Sequence, residues 1–152
     1  MDTITKEARS RIMGKIRSKN TKPEVFIRKA LWHYGIRYRK NCVNLPGSPD
    51  IYISKYKTAL FVHGCFWHQH DDSTCPISHN PKSNKEFWQN KFSKNKERDE
   101  RIRKELICSG IQVIIIWECT VNKMMKNQQE KDETISQIVY SIMNVESLYY
   151  EF

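Results

Sequence analysis

The run IQVIIIWE, residues 111–118, constrains the fold more than any other stretch of the chain. Its β-branched residues favour extended backbone, and it is apolar at nearly every position rather than at alternate ones. A strand of that kind is buried on both faces, so it belongs in the middle of a sheet covered by helices. Two shorter runs also read as strands. DIYI opens at Asp50, TALFVHG opens at Thr58, and the Ser54–Lys57 segment between them reads as a hairpin connection. Ile36 to Asn41 alternates like an edge strand, and LPGSPD ahead of Asp50 is a turn.

Helices are expected around this sheet. Pro23 to Tyr34 is the first strong one, ended by Gly35, with Thr21 and Glu24 spaced as a capping box. A short helix over Lys6 to Ile16 precedes it. A long helix runs from Ser83 to Cys108, and Lys131 to Met143 forms a closing helix. The order α-α-β-β-β-α-β-α predicts an α/β fold, a mixed sheet flanked by helices. The 152 residues suit a single domain, residues 1–152, with an N-terminal helical arm over about residues 1–20.

The long helix has an unusual inward face. Trp88, Lys91, Phe92, Asn95, Asp99, Ile102 and Leu106 fall within about a 100° arc. Polar groups on an apolar stripe are costly unless they are paired or functional. Pairing with each other or with backbone is the plain explanation for Lys91, Asn95 and Asp99. Function is the other.

The net charge is +9, and Lys and Arg are dense over residues 6–40 and 82–104, which favours a polyanionic partner such as nucleic acid. No run reaches the length of a membrane span, and the N-terminus lacks the apolar stretch of a secretory signal, so a cytoplasmic protein is expected. Five cysteines, an odd number, argue against a disulfide framework.

Chemistry concentrates in FVHGCFWHQHDDSTC, residues 61–75. Cys65, His70 and Cys75 follow a C-x4-H-x4-C spacing, and Cys119 lies just past the central strand. Zinc prefers four S and N ligands in a tetrahedron, and these residues could tie a loop to a strand end as a structural site. His79 is a possible alternative ligand. Asp50 at a strand start suits a hard cation such as Mg²⁺, and His63 ends the paired strand close by. His68 need not bind zinc, and beside a metal and a phosphate a neutral imidazole can take a proton from water. Phe66 and Trp67 are suited either to wedging between DNA bases or to packing around the zinc.

LPGSPD, FVHGCFWHQH, FWQNKFSKNKERD and VIIIWEC together resemble the very short patch repair (Vsr) endonucleases of bacteria, over roughly Lys6 to Cys119. The resemblance implies a restriction-endonuclease-like fold and a strand-specific nick 5′ of the T in T:G mismatches left by deamination of 5-methylcytosine. It implies double-stranded DNA as partner, with mismatch-repair proteins and a polymerase acting afterwards. A monomer in the bacterial cytoplasm, at the nucleoid, suits an asymmetric mispair.

Residue by residue, Asp50 matches a metal-binding aspartate, and Val62 stands where a backbone carbonyl also meets the Mg²⁺. His63 and His68 match two active-site histidines, Asp99 the helix aspartate that supports the site through His68, and Glu24 an active-site glutamate. Cys65, His70 and Cys119 match Zn²⁺ ligands. The family's third ligand follows the histidine closely, so Asp72 falls nearer that position, and Cys75 is expected there after a small loop shift. Met13, Phe66 and Trp67 match apolar residues that enter the DNA stack, and Lys91 and Asn95 match residues that read the mispair. The rival readings are a restriction-type or structure-specific nuclease without mismatch preference, and a non-catalytic zinc-stabilised DNA-binding module.

Overall fold

The structure, a computed structural model, describes residues 4–14 and 19–152. In chain order the elements are α1 (Lys6–Gly14), α2 (Lys22–His33), β1 (Arg39–Lys40), β2 (Ile51–Ile53), a 3₁₀ turn (Ser54–Tyr56), β3 (Thr58–His63), α3 (Lys85–Cys108), β4 (Gln112–Trp117), α4 (Glu118–Lys126), α5 (Gln128–Met143) and β5 (Tyr149–Glu151). The strands form one sheet in the order β1-β2-β3-β4-β5. β1, β2 and β3 pair antiparallel, whereas β3, β4 and β5 pair parallel. The sheet is therefore mixed, as expected, and β4 lies inside it with every residue buried.

The pleat divides β4 between two cores. Ile114 and Ile116 join Ile27 and Leu31 of α2, Met124 of α4 and Ile138 of α5 on one face. Val113, Ile115 and Trp117 join Ala59 and Phe61 of β3 and Leu106 of α3 on the other. This alternation explains why the run is apolar at consecutive positions: each face has its own helices. Among the described residues, no helix is long and apolar enough to cross a membrane.

The hairpin is present, with Lys57 in left-handed backbone at φ 46° closing it and Ile51 opposite Leu60. At α2, the Thr21 hydroxyl accepts the Glu24 N–H at 3.5 Å. The reciprocal half of the expected box slips by one residue, since Glu24 accepts from the Asn20 N–H at 2.7 Å.

Several boundaries need correction. The edge strand over Ile36 to Asn41 contracts to Arg39–Lys40. Glu118 starts a helix rather than ending a strand, and α4 was not expected at all. The closing helix begins at Gln128, because Asn127 caps it by accepting the Glu130 N–H at 3.1 Å. β5 is an added strand on β4. The expected end of the first helix at Ile16 lies outside the described residues. Lys91 is exposed, whereas Phe92, Asn95 and Leu106 are the buried residues of α3. Its long side chain lies at the rim of the stripe, where the ammonium stays hydrated.

Candidate active site and metal centre

β2, β3, α2 and α3 converge on a cavity of about 680 Å³, lined among others by Glu24, Asp50, Val62, His63, His68 and Asp99. Five of these are the residues singled out for catalysis from the sequence. The hairpin positions Asp50: its Oδ2 accepts the Val62 N–H at 2.8 Å. His63, at the end of β3, points with Ala59 and Phe61 toward the α3 face. There it stacks on His68, with ring centroids 3.8 Å apart and planes 5° from parallel. Asp99 reaches down from α3 and its Oδ2 lies 2.6 Å from Nδ1 of His68.

These contacts set the protonation states. A carboxylate at Nδ1 selects the tautomer that carries its proton there, which leaves the Nε2 lone pair available. Burial, reinforced by the neighbouring His68, lowers the His63 pKa to about 3, so its ring is neutral at physiological pH. Burial raises the Asp50 pKa to about 6, against the Val62 N–H and with help from nearby Glu24. Burial pushes the Asp99 carboxyl upward, but the hydrogen bond and charge of His68 outweigh it and hold Asp99 below the usual range. A dry carboxylate with a second acid nearby is a place where a divalent cation relieves a real electrostatic cost. Asp50 and Glu24 therefore fit a Mg²⁺-type ion.

The second cluster is separate. The ligand atoms of Cys65, His70, Cys75 and Cys119 all lie within 4.8 Å of one another. Nδ1 of His70 is 3.7 Å from Sγ of Cys65 and 3.4 Å from Sγ of Cys119. All three cysteines are free. Burial pushes the Cys65 and Cys119 thiols up, whereas backbone N–H groups of Ser78 and Ile77 outweigh burial at Cys75 and hold it down. Three converging thiols and one imidazole form a closed donor set suited to tetrahedral zinc. Asp72 is not in the group, because its Oδ1 accepts from the Thr74 N–H at 2.9 Å and the Thr74 hydroxyl at 2.7 Å. His79 is also outside it, with Nδ1 2.9 Å from the Ile77 carbonyl oxygen. Trp117 joins the two centres. Its ring stacks on His70 at 4.2 Å and meets His63 edge-on at 5.4 Å.

Phe66 lies among Trp67, Trp88 and Phe92, each with its ring centroid between 5.1 and 5.4 Å away. The Asn95 amide nitrogen donates to the Trp67 carbonyl at 2.9 Å. Both polar residues of the α3 stripe that face inward are therefore paired, Asn95 with backbone and Asp99 with His68. Met13 is exposed on α1.

The family profile described as DNA mismatch endonuclease Vsr matches residues 1–74. A type II nicking enzyme of Neisseria meningitidis serogroup A is 47% identical over 141 residues, covering 93% of this chain and 96% of the relative. The DNA mismatch endonuclease Vsr of Escherichia coli is 36% identical over 129 residues, covering 85% and 81%. The chain belongs to the Vsr family. A type II nicking enzyme of Haemophilus parainfluenzae is 36% identical over 141 residues, covering 92% and 96%.

This Vsr-type chain is a DNA endonuclease. The sequence brought out the five cavity residues and the four cluster residues but not Arg28, which is buried beside Glu24 and donates from Nη2 to its Oε2 at 3.4 Å. The available signal was the spacing of Glu24 and Arg28, one helical turn apart, which on a surface helix reads as an ordinary exposed ion pair. Trp117 as the link between the centres was likewise missed.

Proposed function

We propose that this endonuclease nicks one strand of duplex DNA on the 5′ side of the T in a T:G mismatch, using Mg²⁺, and so starts very short patch repair of deaminated 5-methylcytosine. The observation that carries the catalytic part is the His68–Asp99 pair at 2.6 Å, in one cavity with Asp50. Held at Asp50, with the Val62 backbone beside it, a divalent cation supplies charge neutralisation at the scissile phosphate and the leaving oxygen.

The chain's own groups do the rest. Asp99 fixes the His68 ring, and Nε2 of His68 takes a proton from the attacking water. Water oxygen bonds to phosphorus as the bond to O3′ breaks, leaving a 5′-phosphate and a 3′-hydroxyl. His63, neutral and stacked on His68, contacts the phosphate without adding a competing positive charge. Zn²⁺ on Cys65, His70, Cys75 and Cys119 holds the segment that carries His68.

Mismatch reading is assigned to Phe66, Trp67 and Met13 as wedges and to Lys91 and Asn95 at the mispair edge. Support comes from the half-buried aromatic group on the loop that also carries His68. The chain acts as one endonuclease domain, with the N-terminal helix as an arm. It works as a monomer in the bacterial cytoplasm, before mismatch-repair proteins and a polymerase. A nicking enzyme without mismatch preference is the second reading, favoured by the relatives named type II nicking enzymes.

The test uses labelled duplexes identical except for one T:G or T:A pair, within a library of flanking sequences, in Mg²⁺ and in EDTA. Metal-dependent cutting 5′ of the T in mismatched duplex alone is expected. Equal cutting of both duplexes would remove the mismatch assignment.

A further inference from the structure

Arg28 is only 5% exposed, so protein groups must satisfy its guanidinium. Nη1 donates to Oδ1 of Asn20 at 2.7 Å. Nη2 donates to Oε2 of Glu24 at 3.4 Å, to Oδ1 of Asn41 at 3.2 Å and to the backbone carbonyl of Asp50 at 3.2 Å. The Asn41 N–H reaches the same Asp50 carbonyl at 3.2 Å, and the Asn41 amide nitrogen donates to Oδ1 of Asn20 at 3.3 Å. Both asparagines adopt left-handed backbone, at φ 56° and 46°, a conformation asparagine tolerates better than most residues. One guanidinium thus ties together the approach to α2, the chain just after β1, and the residue just ahead of β2.

The two acids on this frame are each held through one oxygen. Oε2 of Glu24 takes the Asn20 N–H and Arg28, and Oδ2 of Asp50 takes the Val62 N–H. No described residue bonds the second oxygen of either, and both residues line the cavity. A buried arginine is a poor device for stability alone, since apolar packing of similar volume does as well or better. Its Nε even lacks a partner. What the guanidinium does, and a hydrocarbon could not, is fix the direction of Glu24 and the backbone of Asp50 while offsetting their mutual repulsion.

We propose that Arg28 is a positioning residue for the catalytic cation site, aligning the free oxygens of Glu24 and Asp50 on one divalent ion. The inference rests on Asp50 being the cation ligand. Partners that orient metal ligands are worth about 10- to 100-fold in affinity.

The test is Mn²⁺ binding to the zinc-loaded full chain without DNA, followed by electron paramagnetic resonance, for the wild type and Arg28→Met, Arg28→Lys, Asn41→Ala and Asp50→Asn. Arg28→Met should raise the Mn²⁺ Kd about 10- to 100-fold while zinc content is unchanged. Arg28→Lys should recover part of the loss, and Asn41→Ala should show a smaller loss in the same direction. The Mg²⁺ concentration for half-maximal nicking should rise in parallel, with much of the rate restored at saturation. A folded Arg28→Met with wild-type Mn²⁺ affinity overturns the proposal. If Arg28→Met does not fold, unchanged affinity in Asn41→Ala overturns it instead. Wild-type affinity in Asp50→Asn would instead sink the reading of Asp50 as the ligand.

Discussion

His63 and His68 stack face to face with centroids 3.8 Å apart, so the two imidazoles cannot both carry a proton cheaply. His68 has Asp99 to stabilise a positive charge, and His63 has burial against it. The pair is therefore polarised: in the proposed mechanism His68 takes the proton, while His63 stays neutral.

Metal-free stability should follow from that asymmetry. The His63 pKa falls from 6.5 unfolded to about 3 folded, so the unfolded chain binds the extra proton between those values. This contribution is complete above about pH 6.5 and is lost as pH falls toward 3. Asp50 has the opposite sign, because its pKa rises from 3.8 to about 6, and it costs stability as pH climbs through that window. Asp50→Asn should be more stable than wild type at pH 7, by about 1–3 kcal/mol. It should also show a steeper loss in acid. Urea unfolding from pH 4 to 8 checks both, and a less stable Asp50→Asn at pH 7 would contradict the desolvation of Asp50.

Nicking should have an acid limb near pH 6 when Mg²⁺ is scarce, since Asp50 must be ionised to hold it. Saturating Mg²⁺ should shift that limb to lower pH, because cation and proton compete for one carboxylate. A limb that ignores Mg²⁺ concentration would assign the titration elsewhere.

Asp99→Asn should keep the fold and DNA affinity but lower the single-turnover nicking rate by roughly 10²–10⁴-fold, through the wrong His68 tautomer and lost support of its charge. The ratio of nicking rate to bound fraction measures this directly. A loss confined to DNA affinity would make Asp99 a binding residue.

Cys75→Ser and Asp72→Asn separate the two candidates for the third zinc ligand. Cys75→Ser should lose stoichiometric zinc and melt at markedly lower temperature, whereas Asp72→Asn should retain both. Elemental analysis beside a thermal melt reads both results. Zinc loss in Asp72→Asn alone would reverse the assignment.

Gly47 should not tolerate a side chain. Its φ is +74°, and a Cβ there would meet Ile102 of α3 at 2.6 Å. Gly47→Ala should cost about 1–3 kcal/mol. Equal stability of Gly47→Ala and wild type would show that the turn can move away from α3.

What was legible in the chain was whatever depended on local pattern. The β4 run, the β2–β3 hairpin and the extent of α3 follow from residue type and spacing, and the structure gathers the five singled-out cavity residues and the four cluster residues into two groups. What was not legible depended on partners far away. α4 has no side-chain N-cap and starts directly from a strand, so ECTVNKMMK carries no opening signal. β5 has three residues and owes its existence to pairing with β4. Arg28 becomes intelligible only when Asn20, Asn41 and Asp50 surround it. Asn95 stood out only as a polar residue on an apolar stripe, and the structure gives its amide a backbone partner on the loop that carries His68.

The sequence separations within the site have a kinetic consequence. Asp50 and Val62 are 12 residues apart in one hairpin, His68 and Asp99 are 31 apart, and Cys65 and Cys119 are 54 apart. Closing longer loops costs more chain entropy, so the hairpin contact can form well before the other two. The nascent chain would therefore hold the Asp50 carboxylate in place before it holds the His68–Asp99 pair. Nuclease competence arrives last, with the docking of α3 and the alignment of Cys119 beside Cys65.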